Sequence, residues 1–360
     1  MKRILISGFL GFGNFGDEAL LYVLIHDLVN LGIRRGNVTV ISNNPNLTAD
    51  TYNVNSINRW NLIQLIFNMA NHDAIIFVGG LFQDKTSIRS FLYYFLQLLI
   101  AGLFGKEIVF VGAGIGPFQR KITNTLFKIG MKPVKMLTVR DQASLYATSH
   151  EQRTLVTCDP VWSINTDFSF QNEIPKVNWK LPILGVSMRN NKNLKGHHLI
   201  NLADKISRIL NGMKDWQILF IPCMTSEDLP VLYELMDLVS RKITDQNRIV
   251  MLENFSQFSI PNQVGILGSC DVVIAMRYHA LLAALVNEKP VFGLIYDQKV
   301  KSLLDFSGQV GASPRDDLEQ SWSYFWQNLK YSSGKAKEAK QKAVQLHKIN
   351  IELLERLLIS

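Results

Sequence analysis

The chain has 360 residues, 47% of them hydrophobic and 19% charged, with 23 glycines and 11 prolines. That composition excludes disorder, collagen and coiled coil, and supplies enough apolar material for two packed cores. Lysine and arginine number 38 against 30 acids, a formal charge of +8 that favours anionic partners.

The opening run at 3–7 is too short for a signal-peptide core and has no small-residue cleavage site, so a cytoplasmic chain is expected. Residues 19–31 (ALLYVLIHDLVNL) have helical length and spacing. Strands are expected at 3–7, 37–42, 74–78, 107–111, 136–139 and 154–158. Being apolar on both faces, these runs suit parallel strands covered by helices on each side. The stretch 91–104 (FLYYFLQLLIAGLF) is fourteen residues long, short of the about 20 that a spanning helix needs. It reads as a core helix or, alternatively, as a surface helix that touches a membrane. After Pro160 the pattern lapses into a polar stretch at 165–181, read as a linker. Strands resume at 183–188, 217–222, 248–252, 272–275 and 291–295, and a last helix at 333–358 is Lys-rich at its start. The expected organisation is an N-terminal Rossmann-like domain (1–168), a linker (169–182), a second Rossmann-like domain (183–330) and a C-terminal helix (331–360). The fold class is α/β, with two Rossmann-like domains facing a cleft.

Open parallel sheets bind ligands beyond the carboxyl ends of their strands, so the residues leaving each strand are the candidates. Gly11-Phe12-Gly13-Asn14-Phe15-Gly16 matches G-x-G-x-x-G between a strand and a helix. A dinucleotide is disfavoured: Ser42-Asn43-Asn44 offers no acid for a ribose, and Asp17 and Glu18 would compete with a phosphate. Two readings stay open. One is a tight turn with Asp17 as helix cap; the other is a pocket for neutral hydroxyls lined by Asn14 and Asp17, with Asp17 as a base. Glycines recur at Gly79-Gly80 and through 112–116, either as turns or as the floor of a substrate site.

Arg140 leaves one strand with Asp141 placed to cap the next helix, and Asp159 leaves another. In Met276-Arg277-Tyr278-His279 a buried strand runs into two residues that an extended segment sets on the same side. This pair is the sharpest signal for an anion site. Arg277→Ala and His279→Ala are both expected to spare the fold, because strand-end side chains contribute little to a core. Lys299, after Tyr296-Asp297, supplies a further candidate charge, and Arg189 a weaker one. Cys158, Cys223 and Cys270 lie far apart, while His197-His198 and Glu227-Asp228 lack metal-ligand spacing, so neither a disulfide framework nor a metal site is expected.

Taken in order, Gly11-x-Gly13-Asn14-x-Gly16-Asp17-Glu18, the 112–117 segment, Val139-Arg140-Asp141, Cys158-Asp159-Pro160, Met276-Arg277-Tyr278-His279 and Tyr296-Asp297-x-Lys299 resemble a polysaccharide pyruvyl transferase. The CsaB type, which acts on cell-wall or surface polysaccharide precursors, is the nearest likeness. The resemblance implies a glycosyltransferase-B-like architecture, phosphoenolpyruvate as co-substrate, a lipid-linked saccharide diol as acceptor, and a cyclic pyruvate ketal with release of phosphate. It implies no cofactor, metal or nucleic acid. Arg140, Arg277, His279 and Lys299 would bind the donor, and Asn14, Asp17 and Asp159 the acceptor. His279 and Asp17 would be the catalytic acid and base. The alternative is a nucleotide-sugar-dependent glycosyltransferase of the same fold. A lipid-linked acceptor implies peripheral contact with the inner face of the membrane, for which the net charge, the 91–104 stretch and the C-terminal lysines are the expected means.

Overall fold

The computed structural model describes residues 2–84, 87–148, 154–191, 194 and 196–359. The chain forms two compact units, one of Met1–Ser163 with Ala343–Ser360 and one of Ile164–Lys342. In the first, the strands are β1 (Ile4–Ser7), β2 (Val38–Ser42), β3 (Asn55–Asn58), β4 (Ala74–Phe77), β5 (Gly80–Leu81), β6 (Glu107–Ile115), β7 (Val134–Val139) and β8 (Thr154–Val156). They pair in the order β3-β2-β1-β4-β6-β7-β8, with β5 added on β6. Every pairing is parallel; Ile4, for example, faces both Val38 and Ala74.

Successive side chains of a strand point to opposite faces, and the two faces are buried differently. On one, Leu5, Ile75, Phe77 and Phe110 pack under the helices Leu62–Asn71, Ile88–Leu103 and Lys121–Met131. On the other, Ile4, Ile6, Ile76 and Val109 pack with Leu21, Leu24 and Leu28 of the helix Phe15–Asn30.

The second unit contains β9 (Ile183–Ser187), β10 (Gln217–Phe220), β11 (Ile249–Met251), β12 (Val272–Ala275), β13 (Val291–Leu294) and β14 (Val310–Ala312). Their order is β11-β10-β9-β12-β13-β14, again parallel throughout. Both sheets therefore reverse direction beside their first strand, between β1 and β4 and between β9 and β12, as in doubly wound nucleotide-binding folds.

Three strands escape a reading of the sequence. β3 is the polar edge strand Asn-Ser-Ile-Asn, while β5 and β14 are two and three residues long. An edge strand need not be apolar on both faces, so none carries the expected run. Two expected boundaries also differ. The 169–182 stretch is packed into the second unit, with Phe170 fully buried against Trp179 and Phe258. The C-terminal helix, Leu329–Leu358, is no separate element: its last turns bury Leu354 and Leu358 in the first core, and His347 Nε2 lies 3.1 Å from Asp27 Oδ2. Returning apolar positions to a core formed 300 residues earlier is a tertiary event that local pattern does not report.

Burial separates two neighbouring side chains of that helix. Leu354→Ala should cost about 2–5 kcal/mol by leaving a cavity, and the half-exposed Ile349→Ala under about 1 kcal/mol. Equal losses in chemical denaturation would contradict the assignment of the helix to the first core.

Candidate functional site

In the first unit, the glycine loop follows β1 at the point where the sheet reverses. Gly11 and Gly13 have φ of 76° and 69°, a region favouring glycine. A Cβ on Gly11 would lie 2.0 Å from Ser42 Oγ, so the loop is also pressed against the end of β2. The helix cap is Asn14, whose side chain accepts from the Gly16 amide at 3.2 Å and donates to Asp17 Oδ2 at 2.7 Å. Asp17 therefore sits in the first turn and is not the cap. Its other oxygen lies 3.1 Å from where a Gly79 Cβ would be, joining the exits of β1 and β4. Glu18, which sequence reasoning weighed only against a phosphate, turns inward and accepts from the Gly11 amide at 2.8 Å and Tyr52 Oη at 2.9 Å. Burial pushes its carboxyl up.

Arg140 and Asp159, assigned above to donor and acceptor, pair with each other: Nη1 donates to Oδ2 at 2.9 Å, and both side chains are buried. Asp159 Oδ1 also accepts from the Val161 amide at 3.1 Å. The nearby glycines make room for this pair and its backbone. A Cβ on Gly114 would come within 2.7 Å of Arg140 Nη2, and one on Gly112 within 2.4 Å of the Cys158 carbonyl. Steric need of the protein itself requires glycine at these two positions.

Beside the glycine loop, sequence reading missed Arg59. It is buried, with its guanidinium carbon 4.9 Å from the Phe12 ring centroid, 4.7 Å from Tyr93 and 5.2 Å from Trp60. Aromatic faces attract a cation electrostatically, and nothing in the local pattern around Arg59 announces that they converge.

In the second unit, the exits of β9, β10, β12 and β13 converge on a charged cluster. Arg277 caps the helix Tyr278–Val286 and is buried. Its Nε donates to both oxygens of the fully buried Asp228 at 3.1 Å, and Nη2 reaches Glu227 at 3.1 Å. Burial lowers the basicity of Arg277, but the neighbouring Asp228 more than offsets that, so the guanidinium sits above the ordinary arginine range. The expectation that Arg277→Ala spares the fold is overturned, since the substitution would strand a buried carboxylate.

Arg189 lies 3.7 Å from Glu227 and 3.5 Å from Tyr296 Oη. Lys299 Nζ lies 5.9 Å from the Tyr296 ring. Burial raises the Tyr296 phenol, yet Lys299 and Arg189 together bring it below the usual tyrosine range. His279 is the second residue of the same helix as Tyr278, with their rings 4.9 Å apart, and is partly exposed. Arg189, Arg277, His279, Lys299 and Tyr296 thus lie together at the carboxyl edge of the second sheet, beside Glu227 and Asp228. Local sequence does not mark Glu227 and Asp228 as arginine partners, because acids in a first helical turn resemble ordinary helix-end charges.

An open groove of about 490 Å³ lined by Trp179, Pro182, Asp271 and Lys289 lies at the amino ends of β9 and β12, away from this chemistry. Among the described residues no group of three His, Cys, Asp or Glu side chains is placed to hold a metal ion.

The fold is glycosyltransferase-B-like. It is similar to a UDP-N-acetylglucosamine 2-epimerase from Listeria monocytogenes (11% identity, TM-score 0.63, 100% of this chain and 98% of that one). It is equally similar to the Neisseria meningitidis enzyme bound to UDP-GlcNAc (11%, 0.62, 99% and 100%). A glycosyltransferase from Rickettsia africae gives 14% identity and a TM-score of 0.62 over 99% of this chain and 98% of that one. At such identities the likeness establishes fold alone. No curated protein sequence matches the chain. A model of the polysaccharide pyruvyl transferase family matches residues 14–298.

Two measurements check the second-unit cluster. Asp228→Ala should destabilise by about 3–5 kcal/mol, and the apolar double variant Asp228→Leu/Arg277→Met should recover much of that loss in denaturant titrations. Tyr296 ionisation, read as the absorbance difference from Tyr296→Phe, should fall below the ordinary range and move up in Lys299→Ala. Because its folded pKa is depressed, ionisation of Tyr296 adds stability as pH rises through that value; an unchanged titration would remove the Lys299 contribution.

Proposed function

The chain belongs to the polysaccharide pyruvyl transferase family, and on that premise we propose that it moves pyruvate from phosphoenolpyruvate onto a sugar diol of a cell-wall or surface polysaccharide precursor. The observation that carries this reading is the cationic edge of the second sheet. Phosphoenolpyruvate bears a phosphate and a carboxylate on one carbon, and Arg277, Lys299, Arg189 and His279 gather at a single sheet edge. A guanidinium fork suits such oxyanions, and the helix N-terminus beneath His279 adds backbone donors. Asp228 and Glu227 fix the Arg277 fork in one orientation before the donor arrives.

In this reading His279 binds the phosphate and delivers a proton to the vinyl carbon C3, leaving C2 electron-deficient. A sugar hydroxyl forms the first bond to C2 and loses its proton to a carboxylate base, the role that the family resemblance implies for Asp17. The second hydroxyl then bonds to C2 as the C2–O bond to phosphate breaks, and phosphate leaves with the electron pair. Of the two hydroxyl protons, one balances that taken up at C3 and the other departs with phosphate. Asp159 is taken up by its ion pair with Arg140, which leaves Asn14 and Asp17 as the stronger acceptor candidates of the first unit. The fold shared with the UDP-GlcNAc-bound epimerase and with the Rickettsia africae glycosyltransferase supports a second reading, a nucleotide-sugar-dependent glycosyltransferase.

Phosphate release from phosphoenolpyruvate with a panel of lipid-linked saccharides tests the proposal; turnover of a nucleotide sugar instead would select the second reading. His279→Ala should lower kcat by about 10²–10⁴-fold, the range for a lost general acid, with an unchanged circular dichroism spectrum. Asp17→Asn should impair acceptor use more than phosphoenolpyruvate binding. Wild-type turnover in both variants would remove these roles.

A further inference from the structure

Among the described residues no helix is long and apolar enough to cross a membrane, yet one face of the first unit is unusually apolar. The helix Leu62–Asn71 turns Leu65 and Met69 into the core and leaves Leu62, Ile63, Ile66 and Phe67 outside, with Ile63 83% and Phe67 65% exposed. It carries no charged side chain at all. Its neighbour Ile88–Leu103 buries Phe91, Tyr94, Leu98 and Ala101 but exposes Leu92, Leu96, Leu99 and Leu103, the last 86% exposed. The stretch 91–104 is thus neither wholly buried nor spanning. The third helix of this layer, Lys121–Met131, exposes Ile122 and Ile129 beside Lys121 and Lys128.

These three helices lie side by side on one face of the sheet, and none contains an aspartate or glutamate. Their charges are Arg89, Lys121 and Lys128, with Lys132 just after, and all four are exposed. Trp60, 67% exposed and immediately before the first helix, has its ring 6.0 Å from that of Tyr93. Monomeric proteins rarely leave a contiguous apolar face uncovered. An apolar layer with exposed cations, no acids and an amphipathic aromatic beside it matches the surface of an anionic bilayer. A second copy of this chain would instead bring like charges into one interface.

We propose that the layer formed by the helices Leu62–Asn71, Ile88–Leu103 and Lys121–Met131 docks this protein on an anionic lipid surface. Apolar side chains enter the headgroup boundary while the cations meet lipid phosphates, and no segment spans the bilayer. The proposal uses no property of the catalytic site.

Flotation of the full chain with phosphatidylglycerol/phosphatidylcholine vesicles, and with phosphatidylcholine alone, tests it. The wild type should float with the mixed vesicles. Ile63→Glu/Phe67→Glu and Leu96→Glu/Leu103→Glu should each reduce the bound fraction by about tenfold or more, since both apolar contact and charge complementarity are lost. Lys121→Glu/Lys128→Glu should weaken binding at low salt and blunt its salt dependence. All six side chains are exposed, so an unchanged circular dichroism spectrum should accompany each loss. Absence of wild-type flotation at low salt, or flotation of the glutamate variants at the wild-type level, overturns the proposal. So does a wild-type dimer in light scattering that the same glutamates dissociate without any vesicle binding, which would give the face to a second copy.

Discussion

Parallel pairing in the order β3-β2-β1-β4, repeated as β11-β10-β9-β12, is the constraint on which the rest of the molecule depends. Crossovers between parallel strands are right-handed, so a sheet that grows both ways from its first strand sends the following helices to opposite faces. An opening is left above the carboxyl ends of β1 and β4, and another above β9 and β12. The glycine loop with Asn14 and Asp17 occupies the first, and Arg189 and Arg277 leave the strands that bound the second. Helix N-termini reach the same places, which makes them electropositive before any side chain is counted.

Two buried guanidinium–carboxylate pairs give those edges their shape. Arg140 with Asp159 and Arg277 with Asp228 each join a residue leaving one strand to an acid from another segment. Such pairs add little net stability, because desolvating both charges consumes most of the attraction. What they provide is orientation: Arg277, held through Nε by Asp228, and Arg140, held through Nη1 by Asp159, each keep their remaining donors aimed in one direction. Asp228 also accepts from the Met224 amide at 2.9 Å, so the helix that follows β10 is tied to the exit of β12.

The two faces of the first sheet obey different demands. The face under Phe15–Asn30 and the end of the last helix is closed by buried leucines from both, in keeping with stability alone. The three-helix face buries one side of each helix and leaves isoleucines, leucines and a phenylalanine on the other. Folding needs only the buried side, so the outward composition answers to something other than the core.

Composition and periodicity alone determined that the chain is a doubly wound α/β protein in two halves, because buried parallel strands must be apolar on both faces and leave that mark in any sequence. They also placed Asn14, Asp17, Arg140, Asp159, Arg277, His279 and Lys299 just beyond strand ends, the edge at which open parallel sheets generally bind ligands. Tertiary structure alone decided which of these meet. Arg140 found Asp159 nineteen positions away, and Arg277 found Asp228 forty-nine away. Asp17 yielded the cap to Asn14, and the final helix returned to the first core. Each of those outcomes depends on the three-dimensional approach of segments distant in sequence, and a local pattern of side chains carries no term for that distance.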